Sequence, residues 1–298
     1  MMERWMLLIL LSSVFLAFYD ICKKAGVRNN AVLPTLFAST VFGCAAYVVT
    51  AAAAGGGFRE TALPAARLMA LSFVKAAIVA SSWVFTFMGL RTLPITIATP
   101  IRASAPAAVF IVAFFLYGEI PSLVQFVGVV CVLGGYWTFS WAGKAEGIDF
   151  FRNRAVWCAI AGAALSAVSS IWDKYLLQVA GLPVKPMQFW FQVFLVVIYG
   201  ALLAAMRGGR LRVLGYGDKF EWRWAIPMTG ILLAAADFIY FTGIAEPGVP
   251  ISAASLLRRF SVVITFVLGA RIFREKNLLR KALALGAILA GVVLLCVK

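Results

Sequence analysis

The sequence predicts an all-α integral membrane protein of ten transmembrane helices, arranged as two inverted five-helix repeats around a central cavity. Three observations predict this. The 298 residues are 63% apolar and 13% charged, far from the roughly 45–50% apolar and 25% charged usage of soluble domains. Apolar stretches of about 20 residues, each able to cross a hydrocarbon core about 30 Å thick, recur along the whole chain. The second half also repeats residues of the first at a fixed spacing.

The predicted spans are 5–24, 32–53, 65–91, 94–117, 121–141, 155–178, 186–206, 222–245, 249–272 and 278–297. The first is read as a membrane helix, since it is full length and no small-residue cleavage pattern follows it. Breakers mark the boundaries: Gly55, Gly56 and Gly57 follow the second span, Pro94 and Pro121 open the fourth and fifth, and Gly208, Gly209, Gly215 and Gly217 fill the longest polar link. Helices are required because open strands leave their backbone polar groups unsatisfied in lipid.

The repeat rests on identities. Pro94, Arg102, Phe110, Glu119 and Gly135 recur as Pro250, Arg258, Phe266, Glu275 and Gly291, each displaced by 156 residues, while Tyr19–Asp20 matches Trp172–Asp173 at a displacement of 153. The halves are 1–143 and 150–298. Five helices per half is an odd number, so the second copy enters the membrane in the opposite sense. Inverted repeats with a midplane site at the repeat interface recur among secondary transporters.

Charge sets the expected orientation. The links after the odd-numbered spans hold 17 Lys and Arg, with Lys23 and Lys24 counted in the first, whereas the other links and both termini hold five. The positive-inside rule then puts both termini outside. The net charge of +15 is ascribed to this topology and to anionic lipid headgroups, not to nucleic acid.

Five basic residues remain within spans: Lys75, Arg102, Lys174, Arg258 and Arg259. A charge at a helix centre costs about 2.5–3.5 kcal/mol on insertion scales, so such residues face a bundle interior or an aqueous cavity. Arg102 and Arg258 each lie eight residues beyond a proline, about 12 Å into the bilayer. Guanidiniums are permanently charged and bind phosphate or carboxylate through paired hydrogen bonds. Arg102, Arg258, Arg259 and Lys75 are therefore the candidate substrate-binding residues for an anion. The alternative is that each base pairs with a membrane acid. Asp20, Asp173 and Asp237 are those acids, and they are also candidates for ion coupling. Lys174 adjoins Asp173 but points about 100° away from it on a helix. Trp83 and Tyr240, with Tyr175, lie deep enough to stack on a solute, although core packing is the simpler explanation for them.

Other chemistry is disfavoured. His is absent, which removes the commonest general base and metal ligand, and the five cysteines show no metal or redox spacing. No catalytic residue, metal or cofactor is expected, and the chain is not read as an enzyme. Trp5, Trp137, Trp141, Trp157 and Trp222 are expected in interfacial belts. Gly128, Gly134, Gly286 and Gly291 suit close helix contact, within a monomer or at a homodimer face.

The segment GLRTLPITIATPIRASAPAAVFIVAFFLYGEIPS and its partner GIAEPGVPISAASLLRRFSVVITFVLGARIFREKN each carry a proline that opens a helix ending in Glu119 or Glu275. In this the chain resembles the ten-helix members of the drug/metabolite transporter superfamily built of two EamA-type repeats. The resemblance implies a ten-helix basket with a central cavity, alternating access, and a small-molecule substrate carried across a bilayer, expected to be a bacterial inner membrane. Arg258 and Arg259 look like the basic pair with which plastid triose-phosphate translocators hold phosphate. Superfamily members also export amino acids and drugs, and translocation of an anionic lipid headgroup would use similar charges.

Overall fold

The computed structural model describes residues 4–53, 62, 65–105, 122–144, 147–150, 152–207, 219–244 and 257–296. Among them the helices are α1 (Arg4–Val27), α2 (Val32–Ala53), α3 (Ala66–Thr92), α4 (Ile95–Ala103), α5 (Leu123–Lys144), α6 (Arg154–Lys174), α7 (Val184–Arg207), α8 (Ala225–Ile244), α9 (Phe260–Ile272) and α10 (Leu278–Cys296). No strand occurs among the described residues. Seven helices, α1, α2, α3, α5, α6, α7 and α10, are long and apolar enough to cross a bilayer. The chain is a multi-pass integral membrane protein. Phe110, Glu119, Pro106, Pro121, Pro250 and Glu246, together with the glycine links 55–57 and 208–217, lie outside the described residues.

Each described helix begins within four residues of its expected position, apart from α9. The informative departure is α1, which runs three residues beyond its expected end, so that Lys23 and Lys24, counted above with the first link, lie a turn inside the helix. Both are buried, at 3% and 5% exposure, so these cations belong to the bundle and not to the first link. Asn29 then turns the chain with φ at 51°. Asn30 closes that turn: its amide donates to Gly26 O and Glu221 O, and its oxygen accepts from the Ala31 and Glu221 amides. The other unexpected feature is a π-helical turn, Tyr175–Val179, that extends α6 just beyond Asp173.

Packing is pairwise. α5 runs along α10, α1 along α8, and α3 along α6; α2 lies between α8 and α7, α3 also contacts α7, α1 also contacts α9, and α4 crosses α9 and α6. Small residues permit these approaches. A Cβ added at Gly128 would lie 2.8 Å from the Gly291 carbonyl, so α5 and α10 touch backbone to backbone there. Gly134 and Gly286 face open space instead. Without water to drive burial, interhelical hydrogen bonds add cohesion: Ser12 Oγ donates to Ala236 O at 2.7 Å, Ser82 Oγ to Gly162 O at 2.7 Å, and Tyr199 OH to Ala80 O at 3.0 Å. Trp137, Trp141, Trp157 and Trp222 are exposed, consistent with an interfacial belt. Trp5 is the exception: it is buried against Ile9.

Candidate functional site

The membrane acids take up three of the sequence-identified bases. Arg102, on the last turn of α4, pairs through Nη2 with Asp20 of α1, whose side chain is 3% exposed. Arg258, just before α9, pairs through Nη2 with Asp237 of α8. Lys75 of α3 pairs with Asp173 of α6 at 2.8 Å and lies 4.7 Å from the centre of the Phe191 ring. Burying a lone charge is costly and a partner removes most of that cost, so each acid lets its helix carry a cation inside the bundle. The side chain of Lys174 is outside the described residues.

Arg102, Arg258 and Arg259 gather where α4 meets α9. Arg259 Nη1 donates to the Ala103 carbonyl at 2.7 Å, which ties the start of α9 to the end of α4. Ala103 and Arg259 are separated by the same 156 residues as the repeat. The Arg258 guanidinium carbon stands 4.1 Å from the centre of the Tyr240 ring, a cation–π arrangement. Tyr19 lies within electrostatic reach of Asp20, Arg102 and Asp237. Lys75 and Asp173 belong to a different helix pair, α3 with α6.

Beside Tyr19 is a small cavity of about 10 Å³, lined by Tyr19, Trp83, Phe87, Gln192, Thr229 and the backbone contact of Gly43 with Gly230. Trp83 thus has a cavity face as well as packing against the core around Phe87. At this size it holds about one water.

The geometry has counterparts among known proteins. Residues 3–141 match the model of the EamA-like transporter family. The match covers a little under half of the chain and shows that this part is similar to that family. That family lies within the drug/metabolite transporter superfamily. One solved crystal structure of a protein aligns with a TM-score of 0.60 at 16% identity, over 96% of this chain and 94% of that one, which establishes a shared fold. No curated protein matches the sequence significantly.

Three buried polar residues lie outside the candidate set drawn from the sequence. Lys24 Nζ donates to Leu90 O and Leu93 O, both at 2.6 Å, and so caps the carbonyl end of α3. Lys23 Nζ lies 3.4 Å from the Tyr19 hydroxyl and 4.7 Å from the centre of the Phe87 ring. Gln192 of α7 is 7% exposed and faces the cavity. The available signal was the absence of any breaker between Asp20 and Gly26, which lets α1 continue through both lysines.

Glu275, already noted in the repeat, has a definite structural task. Its carboxylate accepts from the Ile95 amide at 2.6 Å, the Thr96 amide at 3.2 Å and the Thr96 hydroxyl. It therefore occupies the N-terminus of α4, where unpaired amides and the helix dipole favour an anion. Lys281, fully buried on α10, lies 3.8 Å from the same carboxylate. The link that presents Glu275 is sharply bent, with Arg274 and Asn277 both in the left-handed region at φ 51° and 53°.

Proposed function

We propose that this chain is a secondary transporter that moves a small anionic solute by alternating access, with ten spans arranged as two inverted repeats, 1–143 and 150–298. One observation carries the substrate class. Among the described residues around the meeting of α4 and α9, Arg102, Arg258 and buried Lys23 stand with Asp20 and Asp237. These five side chains carry one positive charge in excess, and an arriving anion relieves it. Arg102 and Arg258 exchange their aspartates for the solute's carboxylate or phosphate, since a guanidinium fork accommodates either. The freed aspartates are then the natural carriers of a coupled cation.

The packing pattern supports the inverted repeat. Exchanging each helix of the first half with its counterpart in the second carries α1–α8 onto α6–α3, α2–α8 onto α7–α3, and α1–α9 onto α6–α4; it leaves α5–α10, α2–α7 and α4–α9 in place. Such an exchange is what a two-fold axis relating the halves would produce, and the odd number of spans per half would lay that axis in the membrane plane. The two states of such a carrier differ in which side the site faces, and differential solute affinity along the cycle moves the load. The charge bias of the links favours cytoplasmic placement of the α1–α2, α3–α4 and equivalent connections, in a bacterial inner membrane.

A second reading has its own support. Because the arginines are already matched to aspartates, a zwitterion, with its anion on an arginine and its ammonium on an aspartate, binds without changing the charge of the site. A thermal-shift panel separates the two. A ligand at a hundred times its dissociation constant adds about 2.7 kcal/mol of stability. The anion reading expects detergent-purified protein to be stabilised by simple carboxylates or phosphate esters, with the effect lost in Arg258→Ala. Stabilisation by amino acids alone, lost in both Arg258→Ala and Asp237→Ala, selects the zwitterion; stabilisation indifferent to Arg258 removes the arginine from the site.

A further inference from the structure

We infer that Asp20–Arg102 and Asp173–Arg258 are equivalent ion pairs of which this structure makes only the first, and that the opposite-facing state makes the second and breaks the first. The exchange rests on the inverted-repeat carrier reading and supplies the contacts that change. Asp20 and Asp173 are repeat equivalents at a displacement of 153, as are Arg102 and Arg258 at 156. In the first half the acid of α1 holds the arginine of α4. The same contact in the second half runs from α6 to the start of α9, and it is not made: Asp173 faces Lys75 of α3, and Arg258 faces Asp237 of α8. Neither substitute partner is repeated. Phe87–Leu90 of α3 matches Phe241–Ile244 of α8, sharing Phe and Gly at a displacement of 154, which sets Lys75 opposite Thr229 and Asp237 opposite Trp83.

Asp173 and Arg258 are each incompletely served where they stand. Lys75 Nζ lies 2.8 Å from Asp173 Oδ1 but out of line for a hydrogen bond, so that buried oxygen accepts none, and the buried Arg258 Nε donates none. An unmet buried polar atom is costly, and here the acid lacks a donor while the base lacks an acceptor. Asp20 is sealed, with 3% of its side chain exposed, whereas Asp173 keeps 37%. The made pair also has support toward the α3–α4 link. Glu275 caps Ile95 and Thr96 of α4, and Lys24 caps Leu90 and Leu93 at the end of α3. These contacts shut that end of the bundle. An inverted-repeat carrier reaches its opposite-facing state when each half takes up the other's arrangement. Asp173 then takes Arg258, and Arg102 leaves Asp20. Lys75 and Asp237 keep the two charges from standing bare while their own pair is open. Lys23, one turn from Asp20 on α1 and within its electrostatic reach, stays with that acid once Arg102 has left.

Paired histidines test this cleanly, because the chain has none of its own and two imidazoles brought together bind zinc. Asp20→His with Arg102→His reports the first pair, and Asp173→His with Arg258→His the second. The detergent-purified variants are titrated calorimetrically with zinc chloride, beside the parent and the four single variants. Each double variant is expected to bind zinc at least tenfold more tightly than either of its single variants. The fourfold variant is expected to bind one zinc and not two, since the pairs form in opposite states. A second pair that binds no better than its single variants overturns the inference, and so do two tight zincs in the fourfold variant. No solute enters the titration, so its failure leaves the anion reading to the thermal-shift panel, and failure of that panel leaves the ion-pair exchange standing. Should the histidine variants not fold, Lys75→Met carries the test. It frees Asp173 for Arg258 and so opens the end that is shut in the parent. Deuterium exchange in the peptide covering residues 90–99 is then expected to be at least fivefold faster at an equal melting temperature, and unchanged exchange there refutes the switch.

Discussion

Asp20→Ala is expected to lower the stability of the detergent-purified protein by about 3 kcal/mol, while Asp20→Leu combined with Arg102→Met restores most of it. Removing one partner of a buried ion pair typically costs about 3–5 kcal/mol, because the remaining charge keeps its desolvation penalty and loses its compensation; replacing both with apolar residues of similar size is close to neutral. The lower end of the range applies here, since Arg102 keeps 29% of its side chain exposed and relaxes partly toward polar surroundings. The single variant also places Arg102 unneutralised beside Lys23. Thermal melts of the parent, both single variants and the double variant give the coupling directly. Equal destabilisation by the single and double variants would show that Asp20 contributes packing and not charge. The double variant separates stability from transport, for it regains its fold without a guanidinium for the solute.

Glu275→Ala is expected to cost about 2–4 kcal/mol. The substitution removes a charge-assisted cap from the first turn of α4 and a carboxylate 3.8 Å from a fully buried lysine; an N-cap alone is worth about 1 kcal/mol, and bonds to a charged acceptor are roughly twice as strong as neutral ones. Glu275→Gln, which keeps an acceptor oxygen but not the charge, is expected to recover less than half of the loss. Because the carboxylate joins the α9–α10 link to the start of α4, it also holds the two halves of the chain together at that end. A melting temperature unchanged in Glu275→Ala would mean that the cap is replaceable by water and carries no weight in the fold.

The helices were legible because lipid makes a simple demand: a run of about 20 apolar residues, no open backbone, and breakers at the ends. Span limits such as 32–53 and 278–297 lie within one residue of α2 and α10. The first span is instructive because the same reasoning stopped at Lys24, treating lysine as a marker of the aqueous boundary. The structure carries both lysines further in, one capped onto the carbonyls of Leu90 and Leu93 and the other against aromatic rings. Those partners are more than sixty residues away, and no local pattern announces them. The same limit applies to pairing. Arg102, Arg258, Lys75, Asp20, Asp173 and Asp237 stand out from composition alone, since ionisable residues in membrane spans are rare and need a reason. Which acid meets which base depends on helix rotation and on contacts between α1 and α4 or α8 and α9. Tyr240 became informative only when its ring was found under Arg258. Gln192 carried no sequence signal, as a lone amide in an apolar helix is most simply a satisfied core residue.

The most direct test of the central claim is uptake of radiolabelled carboxylates and phosphate esters into liposomes reconstituted with the parent protein, Arg258→Ala and Arg258→Lys. The account predicts saturable uptake of an anionic solute by the parent, accelerated when the lumen is preloaded with the same solute. It predicts uptake at least a hundredfold slower in Arg258→Ala, with partial recovery in Arg258→Lys, which keeps the charge and loses the fork. Uptake confined to neutral or cationic solutes, or equal in all three proteins, would contradict it.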